Sequence, residues 1–499
     1  MTIGQQAGLA SAFERAPERR RSIEYSLNGH ATARHQPQAR RRASMGAVKA
    51  SPEPAEAITM EASTPSPDPE PVPSRPSPRS YDSRKSATYA RSVSRTLSWG
   101  GARLDENQLQ ERAMRITGTH MDELMDGLSQ GQPAPQTSLQ NAILALQETF
   151  LIFRLAVLLY SYLGLGTRWM GKLIRLIVYS VLLLPGFIQM GIFYFLSPRV
   201  TRSLVYGLAA RNRLDLYRPP SKYKRPPEGY KVVIYITGGA WTIGYKAWGS
   251  LLGRRLSKAK VLVYCLDYRN FPQGTMLDMM RDVNTGIRWI LHHTHFHGGD
   301  PNQVYLVGQS CGAQLAAMAL ITQAEQSYQK AQLPGGFPAW QPQRVRAMVG
   351  ISGVYNCFDL ADHFNRRGLY RKLFDNIMSV NGQPNLKLFS PTYCIKGVEW
   401  GKSLPPVLLL HGTSDTCALV SNATQFSQAL EEAGAQVELK YYDGETHTSP
   451  LIENPMRGGH DKLVDDILAC VFGHNDLSPW QMPLCPGFLI NIAAWICPF

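Results

Sequence analysis

Five residues limit this chain more than any other stretch: Gly308-Gln309-Ser310-Cys311-Gly312. They follow a short apolar run, Val304 to Gly308, and lead into a small-residue run, Ala313 to Leu320. A buried strand that turns at once into a helix needs flanking glycines, because a Cβ would collide where the backbone doubles back. Such a turn lifts the serine hydroxyl above the sheet edge, beside the first N–H groups of the helix. The G-x-S-x-G spacing alone is weak, so its meaning depends on what other segments supply.

A serine hydroxyl becomes a nucleophile when a base takes its proton and a carboxylate orients that base. In the strand-turn-helix setting the expected chain order is Ser, then Asp or Glu, then His. Val407 to Gly412 reads as a buried strand, with Asp415 just beyond it. A helical stretch, Ser421 to Ala433, precedes a second strand, Val437 to Tyr442, and His447 follows. In a parallel sheet both residues then stand at the carboxyl edge, where functional loops gather. His411 has the wrong order relative to Asp415, and Glu445 lies too close to His447 to reach it from across the loops. Ser310, Asp415 and His447 are therefore the candidate triad. Singly, Asp415 also reads as a helix-start carboxylate and His447 as a loop histidine.

A tetrahedral intermediate needs backbone donors for its oxyanion. Lys231 to Thr237 reads as a central strand running into Gly238-Gly239-Ala240-Trp241. That placement assigns the N–H groups of Gly239, Ala240 and Cys311 as the candidate oxyanion hole. Asp267 and Arg269, past the strand Val261 to Leu266, read as a structural tie between loops. His292 to His297 carries four histidines at the end of a predicted helix, Met276 to His292, which favours a helix-dipole role over a metal site. No cofactor and no metal are expected.

The remaining chain divides by composition. Residues 1–135 are rich in Ser, Pro and Arg and short of large apolar side chains, which predicts a disordered tail. No charged start runs into an apolar stretch near Met1, so a cleavable secretory signal is not expected. Residues 142–197 read as a membrane region of one or two helices. Leu176 to Leu196 is 21 residues without a charge, long enough to span a bilayer core. Thr149 to Gly166 is also apolar but contains Arg154. The soluble alternative for this block is a long buried helical pair. Residues 204–475 alternate strands and helices, predicting an α/β fold with a mostly parallel sheet and helices on both faces, an α/β-hydrolase. An antiparallel hairpin is expected within Tyr206 to Tyr217, a cap over the site from Cys357 to Leu404, and a surface loop over 325–345. Residues 476–499 form an apolar tail too short to span. The formal net charge is +14, densest around the membrane-like block, which favours anionic lipid over nucleic acid as a partner. Eight cysteines without a C-x-x-C pair suggest free thiols in a reducing compartment.

Longer runs carry a resemblance. Gly166-Thr-Arg-Trp-Met170, Leu184-Pro-Gly-Phe187, Arg211 to Tyr217, Thr237 to Trp241, Gly244 to Gly253, Leu266 to Gly274 and Arg367-Gly-Leu-Tyr-Arg371 together resemble the prenylcysteine methylesterases, membrane-bound α/β-hydrolases. The resemblance covers roughly 150 to 470. It implies hydrolysis of the α-carboxyl methyl ester on C-terminal S-farnesyl or S-geranylgeranyl cysteine, free or on proteins. It also implies residence in endoplasmic reticulum or Golgi membranes, with the sheet domain facing the cytosol. Two positions depart from the family pattern. Cys311 stands where Ala is usual, and Thr416-Cys-Ala-Leu-Val420 replaces a Val-Pro or Ile-Pro. Alternatives are a broader esterase or arylformamidase-like hydrolase, and a non-catalytic receptor or scaffold on the same fold.

Overall fold

The computed structural model describes residues 167–329, 337–367, 371–474 and 478–497, and before these only Leu146 and Phe150, both helical. All of these fall within one compact unit. The predicted tail, 1–135, and the apolar stretch 149–166 apart from Phe150 lie outside the described residues.

The centre is an eight-stranded sheet. Its strands are β1 (Val200–Val205), β2 (Arg213–Tyr217), β3 (Tyr230–Ile236), β4 (Leu262–Leu266), β5 (Gly299–Gln309), β6 (Val345–Ile351), β9 (Val407–Gly412) and β10 (Val437–Tyr442). A two-residue pair, β7 (Ser379–Val380) and β8 (Gln383–Pro384), forms a separate hairpin. The sheet order is β1-β2-β4-β3-β5-β6-β9-β10. From β4 to β10 every neighbouring pair is parallel, and β1 and β2 add an antiparallel edge. After β3 the chain goes to one side for β4 and then crosses to the other for β5. The crevice at the carboxyl ends of β3 and β5 is thus the topological switch point, where such sheets bind ligands.

The central strands carry apolar runs, Val232 to Ile236, Leu262 to Leu266 and Val304 to Val307, because helices cover both faces. Side chains alternate across a strand. Val232, Ile234 and Ile236 therefore join one core with Leu306 and Met280, while Val233 and Tyr235 join a second with Val307 and Leu256. Most predicted elements fall close to their expected bounds. The early hairpin differs: its first strand is Val200–Val205, paired Val200 to Tyr217 and Val205 to Arg213, so 206–212 is the connection. The expected surface loop over 325–345 is corrected too. A helix runs from Cys311 to Gln329, and Trp340 is buried with its Nε1–H on Asn284 Oδ1 at 2.9 Å.

The larger correction concerns Leu176 to Leu196, which is not one continuous helix. Helix α1 (Thr167–Leu182) and helix α2 (Leu184–Leu196) meet at Leu183 with a 67° bend. Pro185 lacks the N–H that would continue the ladder, and its ring fits only the first turn of a new helix. Among the described residues no single helix is long and apolar enough to cross a membrane; the bent pair passes only together. Helix α2 is docked on the sheet domain. Tyr194 donates to Asp215 Oδ2 at 2.7 Å, and Lys246 Nζ lies 3.1 Å from both the Tyr194 hydroxyl and Asp215 Oδ1. Asp215 also accepts the Ser203 N–H at 2.8 Å. Asp215 and Lys246 are buried, a placement that requires this pairing.

The insertion from Cys357 to Leu404 sits between β6 and β9 and holds short helices Cys357–Arg366, Arg371–Ile377 and Pro391–Cys394. The final described helix, Gly487–Ile496, packs on α1: the Arg175 Nε–H reaches the Ile496 carbonyl at 2.8 Å.

Candidate active site

Ser310 occupies the turn between β5 and the helix Cys311–Gln329. Its φ is +55°, a left-handed conformation that costs a non-glycine residue energy and persists only where packing enforces it. The packing is visible at both glycines. A Cβ on Gly308 would lie 2.5 Å from the Gly312 carbonyl oxygen, and one on Gly312 would lie 2.2 Å from that of Ile236. The Ser310 N–H is anchored on Ile351 O at 2.9 Å.

The three triad candidates meet. His447 Nε2 is 3.0 Å from Ser310 Oγ, and His447 Nδ1 is 2.7 Å from Asp415 Oδ2. Asp415 Oδ1 accepts the N–H groups of Cys417 and Ala418 at 2.8 and 2.9 Å. Burial pushes the Asp415 carboxyl up, but the histidine charges and hydrogen bonds of His447 and His411 outweigh it and hold it well below the ordinary carboxylate range. His411, passed over in the sequence for its order, lies 3.4 Å from Asp415 Oδ2 and 2.8 Å from the Ala418 carbonyl. Glu445 turns away and accepts from Ser449 and Asn454.

The candidate oxyanion loop follows β3. Gly239, Ala240 and Trp241 all have positive φ, at 129°, 49° and 60°. A Cβ on Gly239 would lie 2.4 Å from Gly244 N, so that position excludes larger residues. The curl is held from below: Trp241 N–H points to Cys311 Sγ at 3.3 Å, and its indole N–H to Gln314 Oε1 at 3.1 Å. Neither Gly239 nor Ala240 donates its N–H to a backbone carbonyl among the described residues. These two groups and the Cys311 N–H thus sit on segments that touch each other. The insertion closes on the same loop, with Phe374 edge-on to Trp241 at 5.6 Å between centroids.

Other sequence candidates resolve into structural roles. Asp267 pairs with Arg211 at 2.5 Å and ties two loops as expected, whereas Arg269 pairs with Asp282 at 2.7 Å and ties its loop to the helix Met276–His293. In the histidine run, His293 stacks on Trp289 and His297 Nδ1 meets the Tyr264 hydroxyl at 2.9 Å. Among the described residues no group of three or more His, Cys, Asp or Glu side chains is placed to hold a metal. Sequence reasoning missed Gln309, whose amide lies 3.4 Å from His447 Nε2. It also missed Tyr179, which reaches Glu453 across 274 residues of chain. No local pattern signals such a pairing.

Comparison with known proteins gives a consistent assignment. Residues 214–430 match the BD-FAE family model. The isoprenylcysteine alpha-carbonyl methylesterase ICME of Arabidopsis thaliana is 44% identical over 365 residues, 71% of this chain and 83% of that protein. The probable isoprenylcysteine alpha-carbonyl methylesterase ICME of Oryza sativa subsp. japonica is 44% identical over 71% of this chain and 85% of that protein. Among solved structures, a truncated carbohydrate esterase from gut microbiota superposes with a TM-score of 0.44 at 20% identity, covering 55% of this chain and 96% of that one. Sheet topology and relatives together define a serine carboxylesterase of the α/β-hydrolase fold. Within that class, the chain belongs to the isoprenylcysteine α-carbonyl methylesterase family.

Proposed function

We propose that this chain removes the α-carboxyl methyl group from C-terminal S-prenylcysteine, on proteins or as the free amino-acid ester, with Ser310, His447 and Asp415 as its triad. The observation that supports this most is the relay Asp415–His447–Ser310 at 2.7 and 3.0 Å, in a chain of this family. His447 takes the Ser310 proton as Oγ attacks the ester carbonyl. The oxyanion forms against the N–H groups of Gly239, Ala240 and Cys311. The protonated histidine then delivers its proton to the departing methanol oxygen. Water, deprotonated by the same imidazole, attacks the acyl-enzyme; the serine leaves with the proton, and the carboxylate product is released. No cofactor enters any step.

The reading includes membrane residence, with the sheet domain on the cytosolic side of endoplasmic reticulum or Golgi membranes. It is supported by the exposed apolar faces of α1 and α2. A prenyl chain partitions into lipid, so an enzyme held at the bilayer meets its substrate there. The product carries a new negative charge, which weakens its hold on an anionic leaflet. The test is methanol release from farnesylcysteine methyl ester and from a short-chain ester, by wild type and Ser310→Ala. Selective turnover lost in the variant supports the assignment; equal or better turnover of the short ester overturns the substrate.

A further inference from the structure

Two consecutive helices and a third almost 300 residues further along the chain share one packing arrangement. Tyr179 and Leu183, Met190 of α2, and Ile490 and Ala493 of the helix Gly487–Ile496 meet in a single buried cluster with Met456 and Leu484. Their opposite faces carry exposed apolar side chains at helical spacing: Ile177 and Val181 on α1, Ile188 and Ile192 on α2, Phe488 and Trp495 on the last helix. Trp495 is 83% exposed. Surfaces of this kind mark a partner.

The chemistry selects a lipid one. Residues 478–499 contain no charged side chain, and 167–203 contain no acidic one but do contain Lys172, Arg175, Arg199 and Arg202. An apolar face with a basic flank suits acyl chains beneath anionic headgroups. Length argues against crossing. Helix α2 has 13 residues, about 20 Å at 1.5 Å per residue, against a hydrocarbon core of about 30 Å.

The platform also reaches the catalytic rim. Cys497 Sγ lies 3.5 Å from Thr448 Oγ1, next to His447. Lys172 Nζ binds the Arg367 carbonyl at 3.1 Å, and the Arg367 guanidinium binds the Thr416 carbonyl, next to Asp415.

We propose that the outer faces of α1, α2 and the C-terminal helix form one platform lying in the plane of a lipid bilayer interface, bringing the rim beside His447 against the acyl chains that carry the substrate's lipid. The inference rests on the proposed membrane residence and adds the C-terminal helix as an inserted element.

The test uses the full chain in its membrane, with a benzophenone amino acid at Phe488, Ile492 or Trp495. Phe296 serves as control, being exposed and placed before β5, at the amino end of the parallel strands. Irradiation and peptide mass analysis should give lipid adducts at the first three sites and none at Phe296. Adducts to residues 142–166 or to another protein would assign the face to that occupant and overturn the proposal. A second measurement uses Ile492→Glu combined with Trp495→Glu. KM for farnesylcysteine methyl ester in phosphatidylcholine–phosphatidylserine vesicles should rise about tenfold, with short-ester turnover in solution unchanged; an unchanged KM overturns the platform. Crosslinking reads the surface whatever ester is cleaved, so a failed substrate assignment stays distinguishable.

Discussion

Tyr179, on the helix that precedes the sheet, donates a 2.7 Å hydrogen bond to Glu453 Oε1, six residues past His447. The same oxygen accepts from Thr448 Oγ1 at 3.1 Å. The other oxygen, Oε2, has no hydrogen-bond partner among the described residues. Burial pushes the Glu453 carboxyl up, against the hydrogen bonds of Tyr179 and Thr448. A carboxyl raised in the fold stabilises at low pH and loses that contribution as pH rises through its folded value. Tyr179→Phe removes a donor and raises it further. Thermal denaturation should show a loss of about 1–3 kcal/mol, larger at pH 8 than at pH 5. Equal melting temperatures for variant and wild type at both pH values would contradict this role.

Asp415→Asn keeps the shape of the proposed acid and removes its charge. The imidazole loses its orienting anion, so kcat should fall about 10⁴-fold with KM little changed. Steady-state kinetics on a short ester provide the check, and a drop smaller than tenfold would point to a different acid.

The same carboxylate shapes acid stability. Its folded value lies below the ordinary one, so its contribution is complete above about pH 4 and is lost as pH falls from there. Melting temperature should therefore drop more steeply between pH 4 and pH 2 in wild type than in Asp415→Asn. Parallel curves would separate Asp415 from the acid transition.

Cys311 supports the candidate oxyanion loop through its side chain. Its thiol is buried, which pushes its titration up, and it faces the Trp241 N–H and the Tyr268 hydroxyl. Cys311→Ala leaves a buried N–H unpaired, at a cost of about 1–3 kcal/mol. The expected result is a reduced kcat with little change in KM, with Cys311→Ser, which retains an acceptor, closer to wild type. Native protein should resist iodoacetamide at this residue; rapid alkylation before unfolding would refute the buried placement.

Lys246→Met breaks a buried ion pair from one side and leaves Asp215 uncompensated. Loss of one partner from such a pair costs about 3–5 kcal/mol, to be read by urea denaturation. The double variant with Asp215→Leu should recover part of it. If the double variant is no more stable than the single, the loss is one of packing.

The candidate site was legible because each of its residues lies just past a strand that an apolar or alternating run announces. Ser310 follows β5, Asp415 follows β9, and His447 follows β10. The insertion was legible as surplus length, but the contact of Phe374 with Trp241 depends on tertiary packing that no local pattern encodes. Hydropathy did not disclose the bend within Leu176 to Leu196, because it counts apolar side chains without asking where each points. Pro185 breaks the run, and Tyr194 turns inward to Asp215. Asp215 itself, between two leucines, gives no sign that a helix and a lysine will converge on it.

That convergence sets a limit on how the protein can be taken apart. Many lipid-bound enzymes yield a soluble catalytic fragment when the anchor is clipped, because the linker is dispensable. Here a cut before Val200 would strip Tyr194 from the Asp215–Lys246 pair and uncover the apolar faces beneath α2. A fragment beginning at the first strand would carry a wound in its core, so trimming for expression or crystallisation should start upstream of α1 rather than after α2.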